Sequence, residues 1–291
     1  MPPVLVVEDP ACDDLCLRQL VAQCGFDCLE IPDRIDVPES LGTDDCSLIL
    51  TAGFPAEPGF RPFLNSLRQQ FPGVPVVTIT GRRTRTSSRD AIETGVAGCL
   101  PSCRVATDLL WILQTILVPD VAGRFHTDSR RAICYTIENN PELLPLVVAQ
   151  VGQQMEDWPF DNPMELMRVT VALSEALDNA LYHGNLELSS ELRQGTGQEW
   201  RDESQLRRAS EPYRDRQIRF RGIIGSDGAQ FTVRDEGAGF DAASPVDCTA
   251  SRNLEQCSGR GLFLMRTYMD DVQFNGSGNE VTLVKRWPSS R

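Results

Sequence analysis

Short, unbroken apolar runs alternate with helical periodicity over the first part of this 291-residue chain. Residues 4–7 (VLVV) run into Glu8-Asp9 and are followed by a helical pattern over residues 14–23. Residues 48–50 and 74–79 are further apolar runs bounded by turn residues, and residues 105–117 predict a helix. Strand and helix signals alternating at this spacing predict a parallel sheet with helices on both faces. Residues 119–131 (PDVAGRFHTDSRR) mix proline, glycine and charge, and predict a boundary. Beyond it the pattern restarts. A strand is predicted over residues 132–138, then a helix signalled by Asn140-Pro141 that reaches about Glu156. Asn162-Pro163 opens another helix, with Asn as cap and Pro in the first turn. Residues 217–224 and 229–234 alternate apolar with polar positions and predict an antiparallel pair about the turn Ser226-Asp227-Gly228. A helix over 262–270 and strands over 272–275 and 280–286, joined at Gly276–Gly278, close the chain. The expected division is a first domain at 1–120, a linker at 121–131 and a second domain at 132–291.

The helix that organises the second part is residues 167–184, MRVTVALSEALDNALYHG. At 100° per residue, Glu175, Asn179 and His183 share one face, while Leu166, Val169, Leu173, Leu177, Ala180 and Leu181 gather on the other. A carboxylate and a carboxamide one turn apart can hold a metal and a polarised water or hydroxyl. Alone, a Glu and an Asn on a helix more often mark a solvated face. Two glycine-bearing stretches downstream change that balance. In Asp235-Glu236-Gly237-Ala238-Gly239-Phe240-Asp241, two glycines let the chain bend sharply and approach a flat ligand, and an aspartate at a strand end can accept from an exocyclic amine. In Ser258-Gly259-Arg260-Gly261-Leu262-Phe263, a glycine-rich turn is expected to open the helix over 262–270. Free N–H groups there suit phosphate, at about 1.5–3 kcal/mol per charge-assisted bond. The polar stretch 242–257 between the two reads as a mobile lid.

A net charge of −13 argues against nucleic acid or an anionic membrane as the main partner. No run approaches a membrane span and no signal region opens the sequence, so a cytoplasmic location is expected. Cys12/Cys16, Cys24/Cys28 and Cys99/Cys103 share a C-x₃-C spacing that does not match a zinc pattern, and small buried hydrophobes in a reducing compartment are expected instead. Residues 185–216 carry Arg193, Arg201, Arg207, Arg208, Arg214 and Arg216; a solvated helix or loop insertion, or a basic dock for an acidic partner, would each fit.

In strand order and buried runs, roughly the first 120 residues resemble the receiver domain of two-component response regulators, which implies a flavodoxin-like doubly wound parallel sheet. Glu8 and Asp9 match that family's acidic pair and Thr80 its Ser/Thr switch position. Thr51 stands where the phosphoacceptor aspartate should be, in LILTAGFP. The family's lysine would fall near Ser102, and the only lysine in the chain is Lys285. Ordinary aspartyl phosphorylation is thereby excluded, and a docking or dimerising pseudo-receiver is expected.

E-x-x-x-N, D-x-G-x-G-F and G-R-G-L-F-L-M, in that order, resemble the N, G1 and G2 boxes of the gyrase/Hsp90/histidine-kinase/MutL (GHKL) ATPases, which implies an α/β sandwich of Bergerat type over residues 132–286. The wording LSEALDNALYHGN, VRDEGAGFD and GRGLFLMRTYMDDV resembles the serine/threonine kinase branch that includes bacterial anti-sigma factors. The resemblance implies ATP and Mg²⁺, with Asn179 on the metal, Asp235 on the adenine amine, and Gly237 and Gly239 lining the base pocket. It implies phosphate contacts from the backbone N–H groups of Gly259, Arg260, Gly261 and Leu262, and Glu175 as general base toward a protein hydroxyl. For His183, phosphate contact and packing behind the site stand side by side. Relatives often have threonine where this chain has Asn279, near the last adenine contact. The implied partner is an anti-sigma-factor-antagonist-like protein, with a sigma factor as a further partner and a homodimer as the working form. A nucleotide-gated binding module without phosphotransfer is the alternative. A histidine kinase is disfavoured, because His126 lies in linker composition rather than on a long amphipathic helix and is followed by Thr127.

Overall fold

The structure is a computed structural model that describes residues 2–8, 16–32, 37–38, 40–52, 59–81, 86–118, 131–156, 164–189, 192, 197–240 and 257–287. Asp9, most of the expected linker with His126, Asn162-Pro163, Arg193 and nearly all of the expected lid lie outside these residues. The chain forms two units, residues 1–122 with 132–136, and residues 123–131 with 137–291.

Strands that are apolar on both faces need helices on both sides. In the first unit β1 (Val4–Val7), β2 (Cys28–Ile31), β3 (Leu48–Ala52), β4 (Val76–Thr80) and β5 (Gly98–Pro101) run in the order β2-β1-β3-β4-β5, all parallel. Every residue of β1, β3, β4 and β5 is buried. Val4, Val6, Leu48, Leu50, Val77 and Ile79 share one core with Leu17 and Val21 of α1 (Leu17–Gln23) and with Leu109, Ile112 and Leu113 of α4 (Val105–Leu117). By strand alternation, Leu5, Val7, Ile49, Thr51 and Thr78 face the other way. Helices α2 (Phe60–Gln70) and α3 (Thr86–Glu93) complete the unit, α2 burying Phe60, Leu64 and Leu67. Strand β6 (Arg131–Glu138) begins here too, with Cys134 and Tyr135 in parallel register with Gly98 and Cys99. The division between the units therefore runs through β6, not in front of it.

The second unit contains an antiparallel sheet in the order β7-β8-β10-β9, from β7 (Gln217–Gly225), β8 (Gly228–Arg234), β9 (Asp271–Phe274) and β10 (Glu280–Arg286). Phe220 and Phe231 stack with ring centroids 6.4 Å apart in its core. Helices α5 (Leu144–Met155) and α8 (Cys257–Tyr268) flank α6 (Met164–Asp178), which buries Val169, Ala172, Leu173, Ala176 and Leu177. Each fully buried leucine contributes about 1.5–3 kcal/mol, so this stripe holds α6 firmly. Leu166 of the expected apolar face is only half-buried. The chain's one lysine joins three elements here: Lys285 Nζ of β10 lies 2.9 Å from Glu165 of α6 and 3.5 Å from Asp270, beyond the end of α8. Among the described residues no helix is long and apolar enough to cross a membrane.

Candidate functional site

The stretch expected as one helix through Gly184 changes character part-way. α6 ends at Asp178, and Asn179–Asn185 continues as a π-helix, closed by the Leu186 N–H on the Leu181 carbonyl at 2.9 Å. A π turn inserts an extra residue and turns the following side chains, a feature found often at functional sites. Glu175 and Asn179 are both half-buried and border α8. A Cβ on Gly261 would lie 2.7 Å from Glu175 Oε2 and 3.5 Å from Asn179 Nδ2, so α8 passes close to the ends of both side chains.

The glycine-rich turn expected before Leu262 is itself helical. α8 starts at Cys257, so Gly259, Arg260, Gly261 and Leu262 all lie within it. Two glycines cost a helix only about 1 kcal/mol each, which the packing of α8 on α6 outweighs. Arg260 is exposed and Leu262 half-buried. A helix leaves free the N–H groups of its cap and first three residues, so of these four only Gly259 keeps its own, whereas those of Arg260, Gly261 and Leu262 fall inside the ladder.

The far end of the π turn meets the strand β8 exit. A Cβ on Gly184 would lie 2.3 Å from Asp235 Cγ, and one on Gly237 would lie 2.2 Å from the Gly184 carbonyl oxygen. Asp235 is only 8% exposed, and its Oδ1 accepts the Gly237 N–H at 2.8 Å. The Asp235 N–H donates to the Asn279 carbonyl at 3.0 Å, and Asn279 Nδ2 donates back to the Asp235 carbonyl at 3.4 Å. Asn279 thus clasps the end of β8 to the turn before β10. Gly239 and Gly278, with φ of 72° and 70°, complete that clasp, each against the other turn's backbone: a Cβ on Gly239 would lie 1.9 Å from the Ser277 carbonyl oxygen. Phe240 stands edge-on to Phe274 at 5.1 Å and is 45% exposed.

Burial pushes the Asp235 carboxyl up to about 6, against the Gly237 N–H and the charge of Arg216, which pull it down. An ionised carboxylate accepts from an amine about twice as strongly as the neutral acid. Affinity for a ligand that donates to Asp235 is therefore flat above pH 6 and falls below it, by up to tenfold per unit, because the free protein must first lose a proton. Calorimetric ATP titrations from pH 7.5 to 5 should show the parent tighter than Asp235→Asn above pH 6 and the two converging below it, and the comparison cancels titration of the ATP phosphates.

His183 has partners of its own: Nδ1 lies 2.8 Å from the Leu188 carbonyl oxygen, and the ring meets Trp200 edge-on at 5.9 Å. Trp200 belongs to α7 (Gly197–Ala209), the helix of the arginine-rich stretch. Its arginines, and Arg216 after it, largely face inward. Arg207 donates to the carbonyls of Leu186 and Glu187, Arg208 to that of Asn139, and Arg216 to that of Asn185. Cations at the carboxyl end of a helix are favourable, and here Arg207 and Arg216 bond carbonyls at and just past the end of the π turn. Gly184, Asn185 and Asn139 were not singled out from the sequence, although Gly184-Asn185 directly follows the Glu175/Asn179/His183 face.

The carboxylate, the carboxamide and three glycines are thus drawn from α6 with its π turn, the β8 exit and α8, as three sequence boxes. Residues 137–285, just over half of the chain, match the model of the histidine kinase-like ATPase domain family. The chain belongs to that family. Its domains bind ATP, typically with Mg²⁺, and the match makes this an ATPase- or kinase-like regulatory domain. It begins at Ile137 and leaves the first unit outside. No curated protein matches the chain.

Proposed function

We propose that the chain is a serine/threonine protein kinase of the anti-sigma-factor type, carrying a receiver-like unit that does not accept phosphate. The observation that carries the reading is the 2.7 Å between Glu175 Oε2 and the Cβ position of Gly261. It supports a reading in which a carboxylate, a carboxamide and the first turns of α8 serve one triphosphate. The free N–H of Gly259 binds a phosphate oxygen, and uncoiling of the first turn of α8 adds those of Arg260, Gly261 and Leu262. Asp235 accepts the adenine amine, with Gly237 and Gly239 beside the base. His183, held by Leu188 and Trp200, supports the π turn from behind.

The donor set fits a magnesium ion, which takes one or two protein oxygens and completes its shell with phosphate and water. Asn179 Oδ1 would hold it, and the ion would neutralise charge on the phosphates. Glu175 takes the proton of a serine or threonine hydroxyl on the partner. The oxygen forms a bond to the γ-phosphorus as the bond to the β-phosphate oxygen breaks, releasing ADP. The partner of this reading is an anti-sigma-factor-antagonist-like protein, with a sigma factor held in alternation, in a cytoplasmic homodimer.

For the first unit, the parallel order β2-β1-β3-β4-β5 supports the flavodoxin-like receiver reading. At the phosphoacceptor position Thr51 is buried, its hydroxyl donating to the Ala52 carbonyl at 3.2 Å. Thr80, at the switch position, is buried and donates to Leu100 at 3.3 Å. A module with both hydroxyls turned to backbone serves docking, not phosphorelay.

γ-Labelled ATP with candidate acceptors from the native host tests the whole reading. Label on a serine or threonine of an antagonist-like protein is expected. Tight ATP binding with no labelled protein would replace the kinase by a nucleotide-gated binding module.

A further inference from the structure

One fully buried polar side chain at the site has no part in the scheme above. Asn185, at the end of the π turn, is 0% exposed. Its Oδ1 accepts the Glu236 N–H at 2.7 Å, and its Nδ2 donates to Asn139 Oδ1 at 2.7 Å. Asn139 Nδ2 in turn donates to the Tyr213 carbonyl at 2.7 Å. A backbone N–H can only donate and a backbone carbonyl can only accept, so the two ends fix the sense of both carboxamides. Neither amide can flip without setting oxygen against oxygen.

We propose that Asn185 is a positioning residue for adenine recognition: it fixes the peptide unit that follows Asp235, and so sets the direction in which that carboxylate meets an exocyclic amine. This rests on the reading of Asp235 as the adenine acceptor. The geometry supports it from two sides. The Asp235 N–H is tied to Asn279, the Glu236 N–H to Asn185, and the carboxylate between them is closed in by Gly184 and the Gly237 N–H. A carboxylate confined this way has little freedom to follow a displaced amine, and loss of either tie re-aims it. The π turn is what brings Asn185 inward, and Arg216 holds its carbonyl at 2.8 Å. The relay also explains why Asn139, just past β6, is buried: its side chain is bonded at both ends, and its own carbonyl accepts from Arg208 at 2.8 Å.

The test uses the full chain and two nucleotides, ATP and ITP, which differ where the adenine amine becomes a carbonyl. Asn185→Asp keeps size and the acceptor for Glu236, but sets a carboxylate oxygen against Asn139 Oδ1. Its ATP affinity should fall about tenfold with ITP affinity changed less than twofold, so that the ATP/ITP ratio collapses. Combined with Asp235→Asn it should lose no more than Asp235→Asn alone, since both act through one hydrogen bond. Parental ATP affinity in Asn185→Asp, an equal loss for ATP and ITP, or additive losses in the double variant would each overturn the proposal. If Asp235→Asn itself keeps the parental ATP/ITP ratio, the adenine reading falls and takes this one with it, a result distinct from failure at Asn185 alone. Should Asn185→Asp not fold, as judged by its circular dichroism and thermal transition, Asn139→Ala withdraws only the acceptor behind it. That variant should narrow the ATP/ITP ratio by a smaller factor, and an unchanged ratio there would sink the proposal equally.

Discussion

Glu175→Gln should lower phosphoryl transfer by about 10²–10⁴-fold while leaving ATP affinity within about threefold of the parent. The substitution keeps the side chain's size beside Gly261, where 2.7 Å separates Oε2 from the Cβ position, so packing of α6 on α8 is unchanged. It also keeps an oxygen able to orient a hydroxyl. What it removes is the ability to take the proton as the oxygen–phosphorus bond forms. In phosphoryl transfer most of the protein's work is positioning and charge stabilisation, and the base contributes its own factor on top. Single-turnover transfer from labelled ATP, read beside calorimetric ATP titration, separates the two quantities. A parental transfer rate in Glu175→Gln would move the base elsewhere, and a large loss of ATP affinity would mean that Glu175 serves binding.

Much of the frame was legible because continuous apolar runs have few alternatives. β1, α4 and β10 match their expected bounds, and β7 and β8 pair about the expected turn. β2 was not assigned: only Ile31 of its four residues is buried, and an edge strand without alternation leaves little trace. The three boxes were legible as spacing, and the structure brings Gly184 and Gly261 of two of them against Asp235 and against Glu175 and Asn179. The π turn was not, because no local residue pattern marks where an α-helix takes in an extra residue. The start of α8 was misread for a related reason: glycines signal a turn locally, and only the packing against α6 turns them into helix. The arginines were read as solvated or as a dock. Their acceptors, the carbonyls of Leu186, Glu187, Asn139 and Asn185, are tertiary partners that composition does not reveal. The cysteines were expected to be buried, yet Cys16 and Cys103 are exposed while Cys46, Cys99 and Cys134 are buried.

Gly237→Ala is the substitution expected to strike nucleotide binding hardest for the least added mass. Its methyl would sit 2.2 Å from the Gly184 carbonyl oxygen and 2.9 Å from Asp235 Oδ1. The first is a backbone atom at the carboxyl end of the π turn, held in place by the Glu187 N–H at 3.3 Å, and cannot rotate away as a long side chain would. Either the turn after Asp235 or the π turn must move by about an ångström, at an overpacking cost of about 1–3 kcal/mol. Both movements displace the Asp235 carboxylate from the N–H that holds it. If the cost falls wholly on the binding geometry, ATP affinity drops by about 10- to 100-fold, with a lower thermal transition for the free protein as a further consequence. Gly276→Ala supplies the contrast: nothing lies within 4 Å of its Cβ position, so affinity and thermal stability should stay parental. Calorimetry on the two variants side by side reads the difference. Equal behaviour would mean that the close approach of the π turn to the strand exit has no part in holding the nucleotide.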